Sequence, residues 1–191
     1  MKHKAVAAYW LFAFSLVVMV STLSTEAKAQ LPDRSLSFSL IAQQLQTPEQ
    51  IARYMWRHFL FENDRRQFGR EDYWQSPEEF LLTGKGDCED FARFAYETLK
   101  LNGYSAYLLN IYGGRYSHTV CVFKENGKYQ VIDGTDVKRL NAEDLDDVSS
   151  EIYSSWERGM IVAPKKESEG ATILAEFTKR IELQKALQTY S

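Results

Sequence analysis

The run Gly84-Lys85-Gly86-Asp87-Cys88-Glu89-Asp90-Phe91-Ala92 limits what this chain can fold into more than any other stretch. Two glycines make a turn, and Cys88 then opens an amphipathic segment. Cys88, Phe91, Ala92, Ala95 and Leu99 fall on one helical face. Asn102-Gly103 is a common helix terminus, so the spacing predicts a helix over residues 87–101. Its first residue would carry a thiol where backbone N–H groups are unpaired and the helix dipole is positive. Both favour the thiolate, the reactive form of cysteine. Asp87, Glu89 and Asp90 suit a helix start, yet they oppose a thiolate by like-charge repulsion. Gly84-Lys85 is not a phosphate loop, because no Ser or Thr follows the lysine.

Upstream, Thr47-Pro48-Glu49-Gln50 and Ser76-Pro77-Glu78-Glu79 each read as a capping box with proline at the first helical position. The first starts a helix with Ile51, Met55 and Phe59 on its apolar face. His58 lies beside that face and reads as an amphipathic surface residue, with no ligand partner at i+4. Residues 62–72 read as a charged, exposed loop. Downstream the period changes to that of strands over residues 105–111, 116–124 and 128–133. Asn126-Gly127 joins the last two as a two-residue hairpin. Asn141 is expected to cap a short helix, and 160–163 reads as one more strand. Residues 165–170 form a polar linker before a closing helix over 171–187, with Leu174, Phe177, Ile181 and Leu187 spaced for packing.

The hairpin supplies a test of whether distant residues converge. If Glu125 pairs with Lys128, then His118 lies opposite Thr135 and Val120 opposite Asp133. His118 and Asp133 then share a face as diagonal neighbours. Cys121 faces the other way, and a sheet that turns His118 toward the Cys88 helix turns Cys121 away from it. A Cys88–Cys121 disulfide and a Cys88–His118 pair are therefore competing arrangements. A thiol, an imidazole and a carboxylate suit nucleophilic attack on an amide or ester carbonyl. Cys88 would be the nucleophile, His118 the base and Asp133 its orienter. The Cys88 backbone N–H and the Trp74 indole are candidate oxyanion donors. A zinc site needs three or four ligands, which these residues do not supply.

Gly86-Asp87-Cys88-Glu89-Asp90-Phe91-Ala92 resembles the nucleophile motif of the transglutaminase-like superfamily. Ser117-His118-Thr119-Val120 resembles its histidine strand and Val131-Ile132-Asp133-Gly134-Thr135 its aspartate strand, at intervals of 30 and 15 residues. The resemblance implies an α+β, papain-like fold, with the nucleophile helix packed on an antiparallel sheet. It also implies similarity to bacterial transglutaminase-like cysteine peptidases, some of which cleave envelope proteins and depend on calcium. The activity so implied is amide hydrolysis through an acyl-enzyme. Acyl transfer to an amine, or a binding domain that keeps the fold, is the alternative. Calcium is the one cofactor that the resemblance raises.

The N-terminus bears on location. Met1-Lys2-His3-Lys4 is basic, residues 5–20 are apolar, and Ala27-Lys28-Ala29 is a small-x-small cleavage signal. Residues 1–29 read as a signal peptide, with an uncleaved N-terminal anchor as the alternative, 30–46 as a lead-in, 47–164 as the catalytic domain and 165–191 as linker and C-terminal helix. Removing Lys2, Lys4, Lys28 and Glu26 from 23 bases and 26 acids leaves 20 and 25. A mildly acidic chain without basic runs excludes a nucleic-acid surface. The expectation is a periplasmic or secreted bacterial enzyme with a protein or peptide substrate in the cell envelope. It would have no membrane span after cleavage.

Overall fold

A computed structural model describes residues 37–165 and 170–179. The expected signal peptide, the first part of the lead-in and residues 180–191 lie outside the described residues. At the centre is α5 (Cys88–Leu101), within a residue of its expected start. Three helices surround it: α1 (Phe38–Gln44), α2 (Pro48–His58) and α4 (Pro77–Thr83). Thr47 and Gln50 form the reciprocal capping box at α2. At α4, Ser76 Oγ accepts from the Glu79 N–H, whereas the Glu79 carboxylate accepts from the Tyr73 hydroxyl. His58 stacks on Tyr54. The helices meet in an aromatic core where Phe94 contacts Phe38, Tyr54, Phe59 and Phe80. All five rings are buried, and such rings contribute heavily to core stability.

A six-stranded, wholly antiparallel sheet lies against α5. Its order is β6 (Asp136–Ala142), β5 (Lys128–Asp133), β4 (Tyr116–Glu125), β3 (Ala106–Gly113), β7 (Arg158–Pro164) and β8 (Ala171–Thr178). The other face packs α6 (Leu145–Ile152) over Leu109, Val120, Val122, Val131 and Trp156. Asp144, not Asn141, caps that helix, and residue 141 belongs to β6. A two-stranded parallel pair, β1 (Leu60–Phe61) with β2 (Lys85–Gly86), ties the end of α2 to the turn before Cys88. Between them, α3 (Asp64–Gln67) replaces the expected exposed loop and buries Asp64.

Two further expectations are corrected. The closing helix does not form over its described part, because Ala171–Thr178 is strand β8. Phe177 was spaced for a helix, but it lies opposite Gly159 and packs on Trp156. Gly159 has no side chain there, which leaves room for the Phe177 ring. Lys165 N–H donates to the Gly170 carbonyl where β7 and β8 pair antiparallel, and residues 166–169 of the expected linker lie outside the described residues.

The second correction concerns Cys121. The hairpin register is as read, from Glu125↔Lys128 to Cys121↔Ile132. Val120 and Val122 nevertheless face α6. Cys121 faces α5, in the neighbourhood of Tyr96. Tyr96 lies eight positions along α5 from Cys88, a rise of about 12 Å. Both thiols are free, and that distance exceeds what a disulfide spans.

Candidate active site

Each side chain of the site is placed by local chemistry. Gly84 ends α4 in the left-handed conformation, with φ of 65°, which glycine adopts at no steric cost. Gly86 has a different task. A Cβ there would collide with the Asp90 carboxylate. That carboxylate accepts from Gln75 N at 2.8 Å, Gln75 Nε2 at 2.6 Å and Asp87 N at 3.2 Å. Asp90 thus fixes both the start of α5 and the strand-like segment at Gln75. Arg93, one turn on, donates to the carbonyls of Trp74, Gln75 and Lys165 and pairs with Glu97.

Cys88 is half-buried at the helix start. Its Sγ donates to Glu89 Oε2 at 3.1 Å. Burial, then the charges of Glu89 and Asp87, push the thiol well above its ordinary range. A hydrogen bond from the Thr119 backbone pulls the other way and loses. Burial first, and the neighbouring acids after it, thus oppose the thiolate that the helix start favours.

His118 and Asp133 meet at the sheet end. The β4–β5 ladder stops at Cys121↔Ile132, so β5 parts from β4 before His118. His118 Nε2 lies 2.6 Å from Asp133 Oδ1, and Lys138 Nζ donates to Asp133 Oδ2 at 2.6 Å. Burial alone would raise Asp133, but the hydrogen bonds from His118 and Lys138 outweigh it and hold its pKa below the ordinary value. An ionised Asp133 requires the proton on Nε2, which leaves Nδ1 with the free lone pair. Cys88, His118 and Asp133 line one cleft of about 460 Å³, with Trp56, Phe59, Leu60 and Phe61.

Cys88 also lines a second cleft of about 480 Å³, where Glu71, Asp72, Asp87 and Glu89 give it an acidic wall. Trp74 is buried against this cleft, and its indole N–H donates to Asp72 Oδ1 at 3.0 Å. That donor is committed to Asp72 in this conformation. Oxygens of Asp64, Asp72 and Glu89 lie within 4.8 Å of one another, as do those of Asp64, Asp87 and Asp90. Asp64 Oδ1 and Asp87 Oδ1 are buried without a hydrogen-bond partner. Desolvation, with Asp87 beside it, raises Glu89 to about 10, and desolvation raises Asp64 to about 6. Crowded hard oxygens with unused lone pairs fit a calcium ion. The soft Cys88 sulfur, although near, is not a calcium ligand.

Asp64 and Lys138 were not singled out in the sequence. Asn63-Asp64 ahead of Arg66 carries a helix-start signal, and Asn63 Oδ1 does cap the Arg66 N–H. Lys138 lies on an edge strand of mixed charge that no periodicity marks.

A helix-borne thiol beside an antiparallel sheet that carries an imidazole–carboxylate pair defines an architectural class. The sequence model of the transglutaminase-like domain matches residues 33–141, more than half of the chain, and the protein belongs to that family. Among solved structures, calcium-bound LapG of Legionella pneumophila is similar at 18% identity, with a TM-score of 0.47, over 80% of this chain and 86% of that one. EGTA-treated LapG of the same organism aligns at 18% identity and a TM-score of 0.44, over 81% and 97%. No curated protein matches by sequence. Among the described residues no helix is long and apolar enough to cross a membrane.

Proposed function

We propose that this protein is an exported thiol hydrolase that cleaves amide bonds of proteins or peptides through an acyl-enzyme. The observation that carries the reading is the 2.6 Å His118–Asp133 hydrogen bond in a cleft that Cys88 also lines. Burial and the neighbouring acids favour the thiol of Cys88, so attack is coupled to proton transfer. Cys88 Sγ bonds to the substrate carbonyl carbon as its proton passes to His118 Nδ1. Asp133 stabilises the imidazolium through Nε2–H. The Cys88 N–H donates to the developing oxyanion. His118 then returns the proton to the leaving nitrogen, and the C–N bond breaks to leave a thioester. A water molecule, deprotonated by His118, releases the acid and restores the thiol.

Asp64, Asp72, Asp87 and Glu89 would hold calcium. When bound, the ion supplies positive charge that offsets the carboxylates raising the Cys88 pKa. The signal-like residues 1–29 support export. The test is to incubate envelope proteins with wild type and with Cys88→Ala. New termini made only by the wild type support hydrolysis. New crosslinks to amines in their place would replace it with acyl transfer. Identical outcomes for both proteins would leave a binding domain.

A further inference from the structure

The two clefts that meet at Cys88 differ in kind, and one of them is built to hold an apolar side chain. We propose that the His118-side cleft is the leaving-group subsite, which takes a bulky apolar side chain on the residue following the scissile amide. This rests on the acyl-enzyme reading above. The proton returned to the leaving nitrogen comes from His118, so that nitrogen must lie within hydrogen-bond reach of the ring. The peptide that follows it therefore leaves along the wall His118 belongs to. That wall is apolar: Trp56, Leu60 and Phe61 line it while 69%, 65% and 69% exposed. Three large apolar groups left in water around one cleft mark a binding surface. Its ionisable groups besides Cys88, namely His118 and Asp133, are already paired with each other, and Asp133 also with Lys138. The opposite cleft carries four carboxylates.

The shelf is also fixed relative to the thiol. Leu60 N donates to the Gly84 carbonyl at 3.0 Å and Glu62 N to the Gly86 carbonyl at 2.9 Å. The strand bearing Leu60 and Phe61 is thus hydrogen-bonded to the same turn that delivers Cys88. A volume of about 460 Å³ lies in the range of pockets that enclose a small ligand, so a Phe or Leu side chain fits with room beside it.

The test uses the full chain and synthetic peptides that differ only in the residue after the cleaved bond: Phe, Leu, Ser, Lys or Asp. The expected kcat/KM for Phe or Leu exceeds that for Ser by about 10- to 100-fold. In Trp56→Ala and Phe61→Ser that ratio collapses toward one. Both side chains are exposed, so melting temperatures near wild type confirm folding. In parallel, fluorescence polarisation of labelled peptides on Cys88→Ala reads binding without turnover. Discrimination in binding with no cleavage by the wild type would sink the hydrolase reading and keep the subsite. Cleavage with no preference, or a ratio unmoved by both variants, overturns the subsite and keeps the hydrolase. A preference for Lys or Asp also overturns the subsite.

Discussion

Carboxylates stand on both sides of Cys88, and the two sides treat them in opposite ways. On the sheet side, Asp133 is held ionised between an imidazole and the Lys138 ammonium. On the helix side, Asp64 and Glu89 are crowded among other acids, and their pKa values rise. Burial pushes both groups upward, so burial does not distinguish them. The difference is a positive partner within hydrogen-bond distance. Asp133 has the partner that folding supplies. The Asp64–Glu89 cluster, with buried lone pairs unused on Asp64 and Asp87, has the form of a site whose positive charge comes from solution. Cys88 lies between, and its thiol feels the unbalanced side more strongly.

The most severe break in this comparison removes the group between the two sides. Cys88→Ala should lower kcat/KM by at least about 10⁴-fold, read as loss of new termini in a peptide digest. Asp133→Asn keeps the shape but not the charge, and the sheet side then lacks its imidazolium stabiliser. Turnover should fall by about 10²- to 10⁴-fold, and a wild-type rate in that variant would remove Asp133 from the mechanism. On the helix side, calcium titration followed by calorimetry should show binding that EGTA reverses. Asp64→Asn should weaken it by at least about 10-fold, and unchanged affinity would move the ion elsewhere.

The smallest effect sharpens the role of Lys138. Asp133 has a folded pKa below its unfolded value of about 3.9. Its ionisation therefore adds stability that is present above the unfolded value and lost as pH falls through the folded one. Lys138→Met removes one of the two hydrogen bonds that hold the folded pKa down. The acid-unfolding midpoint, followed by circular dichroism, should move to higher pH, while stability at neutral pH falls by about 1 kcal/mol for this part-buried ion pair, whose lysine keeps contact with solvent.

Much of the helix layer was readable in the chain because its signals are local. Thr47-Pro48, Ser76-Pro77, the Gly84–Gly86 turn and Asn102-Gly103 each act within one helical turn. The hairpin at Asn126-Gly127 was equally local, and its register holds from Glu125↔Lys128 to Cys121↔Ile132. The errors arose where a distant partner decides. Strand β6 alternates weakly because it is a charged edge, the kind of edge that resists further pairing. Strand β8 is exposed over most of its length, so burial imposes no period of two on it, and Leu174 and Phe177 happened to fit a helix. The facing of Cys121 failed for a subtler reason. Alternation was applied correctly, but β5 leaves β4 before His118, and the imidazole reaches the thiol cleft at the end of the sheet. Asp64 was legible only as a helix start, because its burial follows from the Tyr73 segment, whose N–H it accepts.

Arg93 acts as a tie-rod between the two walls of the acidic cleft. One of its nitrogens holds the Trp74 and Gln75 carbonyls, and another holds the Lys165 carbonyl, at the foot of the hairpin that brings Ala171 and Ile173 to the opposite wall. The width of the opening is thereby geared to a single planar group on the helix that carries the thiol. Because Arg93 and Cys88 share α5, the cleft walls and the nucleophile are positioned from one rigid element.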